Sequence, residues 1–121
     1  RILLIEDQAD VREVVETALT ENGYNVWEAS TISEAEKLIA QQGEKFELIF
    51  SDIILPDGNG IDFAEKIFSK DSTIKILLSS GYTEEKSRPD AIAQKQFHFL
   101  QKPYPLNTML EMVHRILSDS H

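Results

Sequence analysis

The sequence predicts an α/β fold of the (βα)5 kind, a parallel five-stranded sheet with helices on both faces. Three observations lead there. Short apolar runs alternate with amphipathic stretches along the whole chain. The runs at 2–5, 48–51 and 76–79 are nearly continuous Ile, Leu and Phe, as in strands buried on both faces of a parallel sheet. Helix stop and start signals separate the two kinds of segment.

The first strand is Ile2-Leu3-Leu4-Ile5. A helix follows, with Val11, Val14, Val15, Ala18 and Leu19 expected on its buried face. Gly23 is placed to end it in the left-handed conformation. Residues 25–29 alternate more, as an edge strand does. Thr31 opens the next helix, and Glu34 three residues on completes a capping box. Ala35, Leu38 and Ile39 form its apolar stripe, and Gly43 closes it. The strand at 48–51 leads to Asp52. Ile61, Ala64, Ile67 and Phe68 mark a third helix. The strand at 76–79 follows, then a fourth helix near 84–94, expected to be short or irregular because Pro89 removes a backbone donor inside it. The strand 97–101 precedes the last helix, opened by Pro105 and marked by Leu106, Met109, Leu110, Val113, Ile116 and Leu117.

The 121 residues suit one domain spanning 1–121, large enough to fold without disulfide or structural metal. Cysteine is absent, which excludes disulfides, thiolate metal sites and cysteine nucleophiles. The formal charge of −9 disfavours direct binding to nucleic acid or an anionic membrane surface. The apolar runs are far shorter than the ~18 residues of a membrane span. No signal peptide is expected before the first strand. The opening at Arg1, without an initiator Met, is expected of a domain within a longer chain.

Right-handed crossovers put every strand C-terminus on one edge of such a sheet, where ligands bind. Glu6, Asp7, Asp52, Ser79, Ser80 and Lys102 all fall there. Glu6 and Asp7 taken alone read equally well as acids at the start of the first helix, favoured by its dipole. Three acids at two strand ends, with a lysine at a third, point instead to a cation and a phosphoryl group. Clustered carboxylates repel, so removing Glu6 or Asp7 is expected to stabilise the metal-free chain. Hard oxygen ligands suit Mg²⁺. Asp52 can act as a nucleophile, since carboxylates form aspartyl phosphates. Lys102 can pair with a phosphoryl oxygen, and the bond to Pro103 can be cis and so aim it. Ser79 and Ser80, before Gly81, can bond a phosphoryl oxygen or serve only as turn serines. His98, His114 and His121 are dispersed and form no site.

Glu6-Asp7, Asp52 with Leu55-Pro56 and Gly60, Ser80-Gly81 and Lys102-Pro103 together resemble the receiver domain of two-component response regulators. The resemblance runs over essentially the full chain, and Ser80-Gly81-Tyr82 looks like receivers of hybrid sensor histidine kinases. It implies the flavodoxin-like strand order 2-1-3-4-5. It implies that Asp52 accepts a phosphoryl group from the phosphohistidine of a histidine kinase or histidine phosphotransfer protein. Glu6, Asp7, Asp52 and the Ile54 backbone carbonyl would hold Mg²⁺, while Ser80 and Lys102 would contact the phosphoryl group. Ser80 and Phe99 would form the switch. Ile54 and Tyr82, each two residues after a site residue, would tune the attack of water. Any catalysis in this chain would be confined to its own phosphorylation and dephosphorylation. A cytoplasmic location and a second copy of the chain as partner are further expectations.

Two departures stand out: Phe99 occupies a switch position where many receivers have tyrosine, and Pro89 lies in the fourth helix. The alternative is a Mg²⁺-dependent phosphatase or phosphotransferase with an aspartyl nucleophile. Haloacid-dehalogenase-like enzymes of that kind show Asp-x-Asp after strand one, where this chain has Glu6-Asp7-Gln8. A nucleotide-binding module would show a Gly-x-Gly-x-x-Gly turn there, which is missing.

Overall fold

A computed structural model of the chain describes residues 1–42, 46–81 and 97–118. The strands are β1 (Ile2–Ile5), β2 (Val26–Ala29), β3 (Leu48–Asp52), β4 (Ile54–Leu55), β5 (Gly58–Asn59), β6 (Lys75–Ser80) and β7 (His98–Gln101). The helices are α1 (Ala9–Glu21), α2 (Ile32–Gln42), α3 (Gly60–Lys70) and α4 (Leu106–Ser118). Five strands form one parallel sheet in the order β2-β1-β3-β6-β7, which is 2-1-3-4-5 once the small β4–β5 hairpin is set aside. Gly43, Tyr82, Pro89, the expected helix near 84–94 and His121 lie outside the described residues.

The sheet separates two apolar cores, and strand alternation assigns residues to each. Leu3, Ile5, Ile49, Ile76 and Leu78 join Ala35 of α2 and Ile61 and Ala64 of α3. Ile2, Leu4, Leu48, Phe50 and Leu77 join Val15 and Leu19 of α1 and Met109, Val113 and Ile116 of α4. Both faces of the central strands are therefore covered, which is why their sequences read as unbroken apolar runs.

The ends of the helices follow local chemistry. Gly23 has φ of +93°, and Tyr24 and Gly23 donate their amides to the carbonyls of Leu19 and Thr20, closing α1 as expected. Thr31 Oγ1 accepts the Glu34 amide at 3.1 Å. The reciprocal bond of the expected capping box goes one residue further back, from the Ser30 amide to Glu34 Oε1 at 2.7 Å. Asp57, in the turn of the β4–β5 hairpin, also accepts the Ile32 and Ser33 amides at 2.9 and 3.0 Å. Asn59 caps α3 by accepting from Ile61 and Asp62.

Two residues depart from the expected stripes. Val14 is 51% exposed and Leu106 39% exposed. Both line an open groove of about 390 Å³ between α1, Pro103 and the start of α4. Among the described residues, no helix is long and apolar enough to cross a membrane.

Candidate phosphoacceptor and metal site

The C-terminal edge of the sheet gathers Glu6, Asp7, Asp52, Ser79, Ser80 and Lys102. Register explains the gathering. β1 and β3 run side by side in parallel, so the Glu6-Asp7 turn after β1 emerges beside Asp52 at the end of β3. Asp52 pairs with Ser79 across to β6, and β7 delivers Lys102 one residue past its end. The Lys102 amide donates to the Ser80 carbonyl, tying that turn to β6. The Lys102-Pro103 peptide bond is cis.

Lys102 Nζ lies between two carboxylates, donating to Glu6 Oε1 at 2.8 Å and standing 2.8 Å from Asp52 Oδ1. Asp52 is 6% exposed and Glu6 4%, whereas Asp7 is open to solvent. Burial pushes the Asp52 carboxyl up, and the adjoining Glu6 carboxylate pushes it further, to about 7, against the pull of Lys102. Burial also pushes Glu6 up, but its bonds with Asp52, Lys102 and the Gln8 amide outweigh this and hold it below the usual range. Burial disfavours the Lys102 charge, yet Asp52 and Glu6 together raise its pKa. The resting arrangement is an ionised Glu6–Lys102 pair beside an Asp52 that titrates near neutrality.

Oxygens of Glu6, Asp7 and Asp52 all lie within 4.8 Å of one another. An all-oxygen set of this span, with one acid facing solvent, fits a hard divalent cation that retains waters. Glu6 meets the helix-start alternative halfway: Glu6 Oε2 accepts the Gln8 amide at 3.1 Å, but the N-cap of α1 is Gln8, which makes no side-chain cap bond.

Gly60 holds the floor of the site. Its amide donates to the Ile53 carbonyl at 2.6 Å, and a Cβ there would collide with the Asp52 carbonyl oxygen. Only glycine lets α3 start so close behind the acceptor. Ile54 is 56% exposed at the mouth. Ser80 is buried, with Oγ donating to the Gly81 carbonyl at 3.1 Å rather than to Asp52. Phe99 is half-buried against the core on the α2–α3 side of the sheet.

Two contacts of the cluster were not anticipated. Ser79 Oγ donates to Asp52 Oδ1 at 3.1 Å. The serine pair was visible in the sequence, but only the β3–β6 register shows which of the two stands beside Asp52. Arg12 Nη1 donates to the Glu6 carbonyl at 2.7 Å and Nε stands 3.3 Å from Glu28 Oε1, bracing the acidic turn against β2. Its position one turn into α1 offered no signal of that reach.

A doubly wound parallel sheet bearing an acidic cluster and a lysine at its switch point is suited to hold a hard cation beside an anionic group. The family model for the response regulator receiver domain matches residues 2–114, and the chain belongs to that family. It is similar to the response regulator receiver protein CpdR of Brucella abortus (strain 2308), at 31% identity over 117 residues, covering 97% of this chain and 96% of that protein. It is also similar to the sensor kinase CckA of the same organism, at 30% identity over 116 residues, 96% of this chain but 12% of that protein. Among solved structures, the non-phosphorylated HemR receiver domain from Leptospira biflexa matches with a TM-score of 0.87 and 34% identity, covering 100% of this chain and 96% of that one. The chain is thus a receiver of phosphorelay signalling, and an unrelated aspartyl phosphatase or phosphotransferase is not favoured.

Proposed function

We propose that Asp52 accepts a phosphoryl group from the phosphohistidine of a histidine kinase or histidine phosphotransfer protein, in a reaction that requires Mg²⁺. The observation that carries this reading is Lys102 held 2.8 Å from both Glu6 and Asp52, beside a three-carboxylate cluster. Glu6, Asp7, Asp52 and the Ile54 backbone carbonyl would hold the cation, which when bound supplies charge neutralisation for the phosphoryl oxygens. A carboxylate oxygen of Asp52 attacks phosphorus, the phosphorus–nitrogen bond breaks, and its electron pair returns to the imidazole. Lys102, which lies between Glu6 and Asp52, is then free to exchange a carboxylate for a phosphoryl oxygen. The open groove with Val14, Pro103 and Leu106 borders Lys102 and supports the approach of a donor protein along α1.

Ile54 and Tyr82 would tune phosphate lifetime. The exposed Ile54 side chain offers an approaching water no acid or amide to orient it, so self-hydrolysis is slow. Ile54→Asn should shorten the lifetime of the phosphorylated protein; an unchanged lifetime would remove Ile54 from this role.

Phosphorylation by a small donor such as phosphoramidate, followed by intact mass, tests the main reading. One phosphoryl group is expected with Mg²⁺ and none in excess chelator, and Asp7→Ala should need far more Mg²⁺. Full phosphorylation in chelator would contradict the metal requirement.

A further inference from the structure

Ser79 is not used by the scheme above. Its hydroxyl is 2% exposed in residue terms and points at Asp52 Oδ1, the oxygen that also faces Lys102. The backbone leaves it little freedom. Asp52 and Ser79 are register partners, and the Ile53 amide donates to the Ser79 carbonyl at 2.9 Å. Strand alternation separates the two serines. Ser79 shares parity with Leu77, on the α1–α4 side, and Ser80 with Leu78, on the α2–α3 side.

We propose that Ser79 is a donor to the departing carboxylate, which raises the transfer potential of the aspartyl phosphate and shortens its lifetime. The proposal rests on Asp52 being the phosphoacceptor. In hydrolysis, a water oxygen bonds to phosphorus while the phosphorus–oxygen bond to Asp52 breaks. The bonding pair stays on the carboxylate, and a water proton passes to the released phosphate or to solvent. Negative charge then spreads over both oxygens of Asp52, whichever one carried phosphorus. A hydrogen bond to a charged acceptor is roughly twice as strong as one to a neutral acceptor. Ser79 therefore stabilises the carboxylate product more than the acyl phosphate. Phosphoryl transfer passes through a loose transition state, with leaving-group charge well developed and little bonding to the nucleophile. Loss of the hydroxyl should slow departure from Asp52 much more than it affects arrival. The same bias would favour handing the phosphoryl group back to a histidine.

The test is a pair of rates on Ser79→Ala. The protein is phosphorylated with phosphoramidate in excess Mg²⁺, the donor is removed, and phosphate loss is followed by intact mass. The expected result is a lifetime about fivefold longer than wild type, equivalent to about 1 kcal/mol. Phosphorylation should stay within about twofold of wild type or be faster, and Ser79→Thr should return the wild-type lifetime. An unchanged lifetime overturns the proposal. So does a parallel fall of both rates, which is the signature of a loosened site. Wild-type protein that takes no phosphate, or takes it equally as Asp52→Asn, overturns the underlying assignment of Asp52 instead.

Discussion

At Asp52, burial and the Glu6 carboxylate act in the same direction, and the consequence is a pH-dependent stability. The folded group titrates at about 7 and its ordinary value is 3.8. Between those values the folded state keeps a proton that the unfolded state has released. The contribution of Asp52 to metal-free stability is therefore full below the ordinary value and lost as pH rises through 7. Asp52→Asn has no such proton to lose and keeps acceptors for Ser79 and Lys102. Its thermal stability in chelator should match wild type near pH 4 and exceed it at pH 8, by an amount on the order of a few kcal/mol. An equal difference at both pH values would show that Asp52 is not the strained acid. Glu6 behaves oppositely. Its bonds with Asp52 and Lys102 outweigh its burial and hold it ionised, so Glu6→Ala should lower metal-free stability by about 2 kcal/mol rather than raise it. Relief of repulsion is expected only from Asp7→Ala, because Asp7 faces solvent. Matching melting shifts in the two variants would contradict this division. The sequence listed the acids without showing which of them the lysine would take as partner; that depends on β7 passing beside β6, which periodicity does not encode.

Among the elements, β6 and β7 carry Ser80 and Phe99 beside the site. Leu78 pairs with Phe99 and Ser80 with Gln101, so Ser80 and Phe99 lie near one another along adjacent strands. We propose that phosphorylation of Asp52 draws the Ser80 hydroxyl away from the Gly81 carbonyl and gives the Phe99 ring room to bury further. Phe99 carries no hydroxyl, so its burial leaves no polar group unpaired. Ring resonances of Phe99 should shift on phosphorylation in wild type and stay in place in Ser80→Ala; equal shifts in both would remove the hydroxyl as trigger. Strand and helix types were legible because the apolar period changes cleanly between runs such as 48–51 and stripes such as Ile61, Ala64 and Ile67. The β4–β5 hairpin was not, since Ile54-Leu55 and Gly58-Asn59 are too short to carry a period. Its cap on α2 through Asp57 is a contact between residues 25 positions apart, which only the folded chain reveals.

Across the whole molecule, topology does most of the work of site assembly. β1 lies inside the sheet with β2 on one side and the central strand β3 on the other, and the chain crosses to opposite faces from there. The crevice that results sits above β1 and β3, and the acids of both strand ends fall into it. The strand order could not be derived from the alternation of runs; it came with the family resemblance, and the parallel register confirms it. The residues gathered at the candidate site were legible because motif spacing records strand ends. The contacts of Ser79 with Asp52 and of Arg12 with the Glu6 carbonyl were not, because they depend on register and side-chain reach.

Everything proposed for the site depends on Asp52 receiving the phosphoryl group. Incubation of wild-type and Asp52→Asn protein with phosphoramidate and Mg²⁺, read by intact mass before and after hydroxylamine, tests it most directly. A single hydroxylamine-labile phosphoryl group is expected on wild type and none on Asp52→Asn. Equal labelling of the two proteins would contradict it.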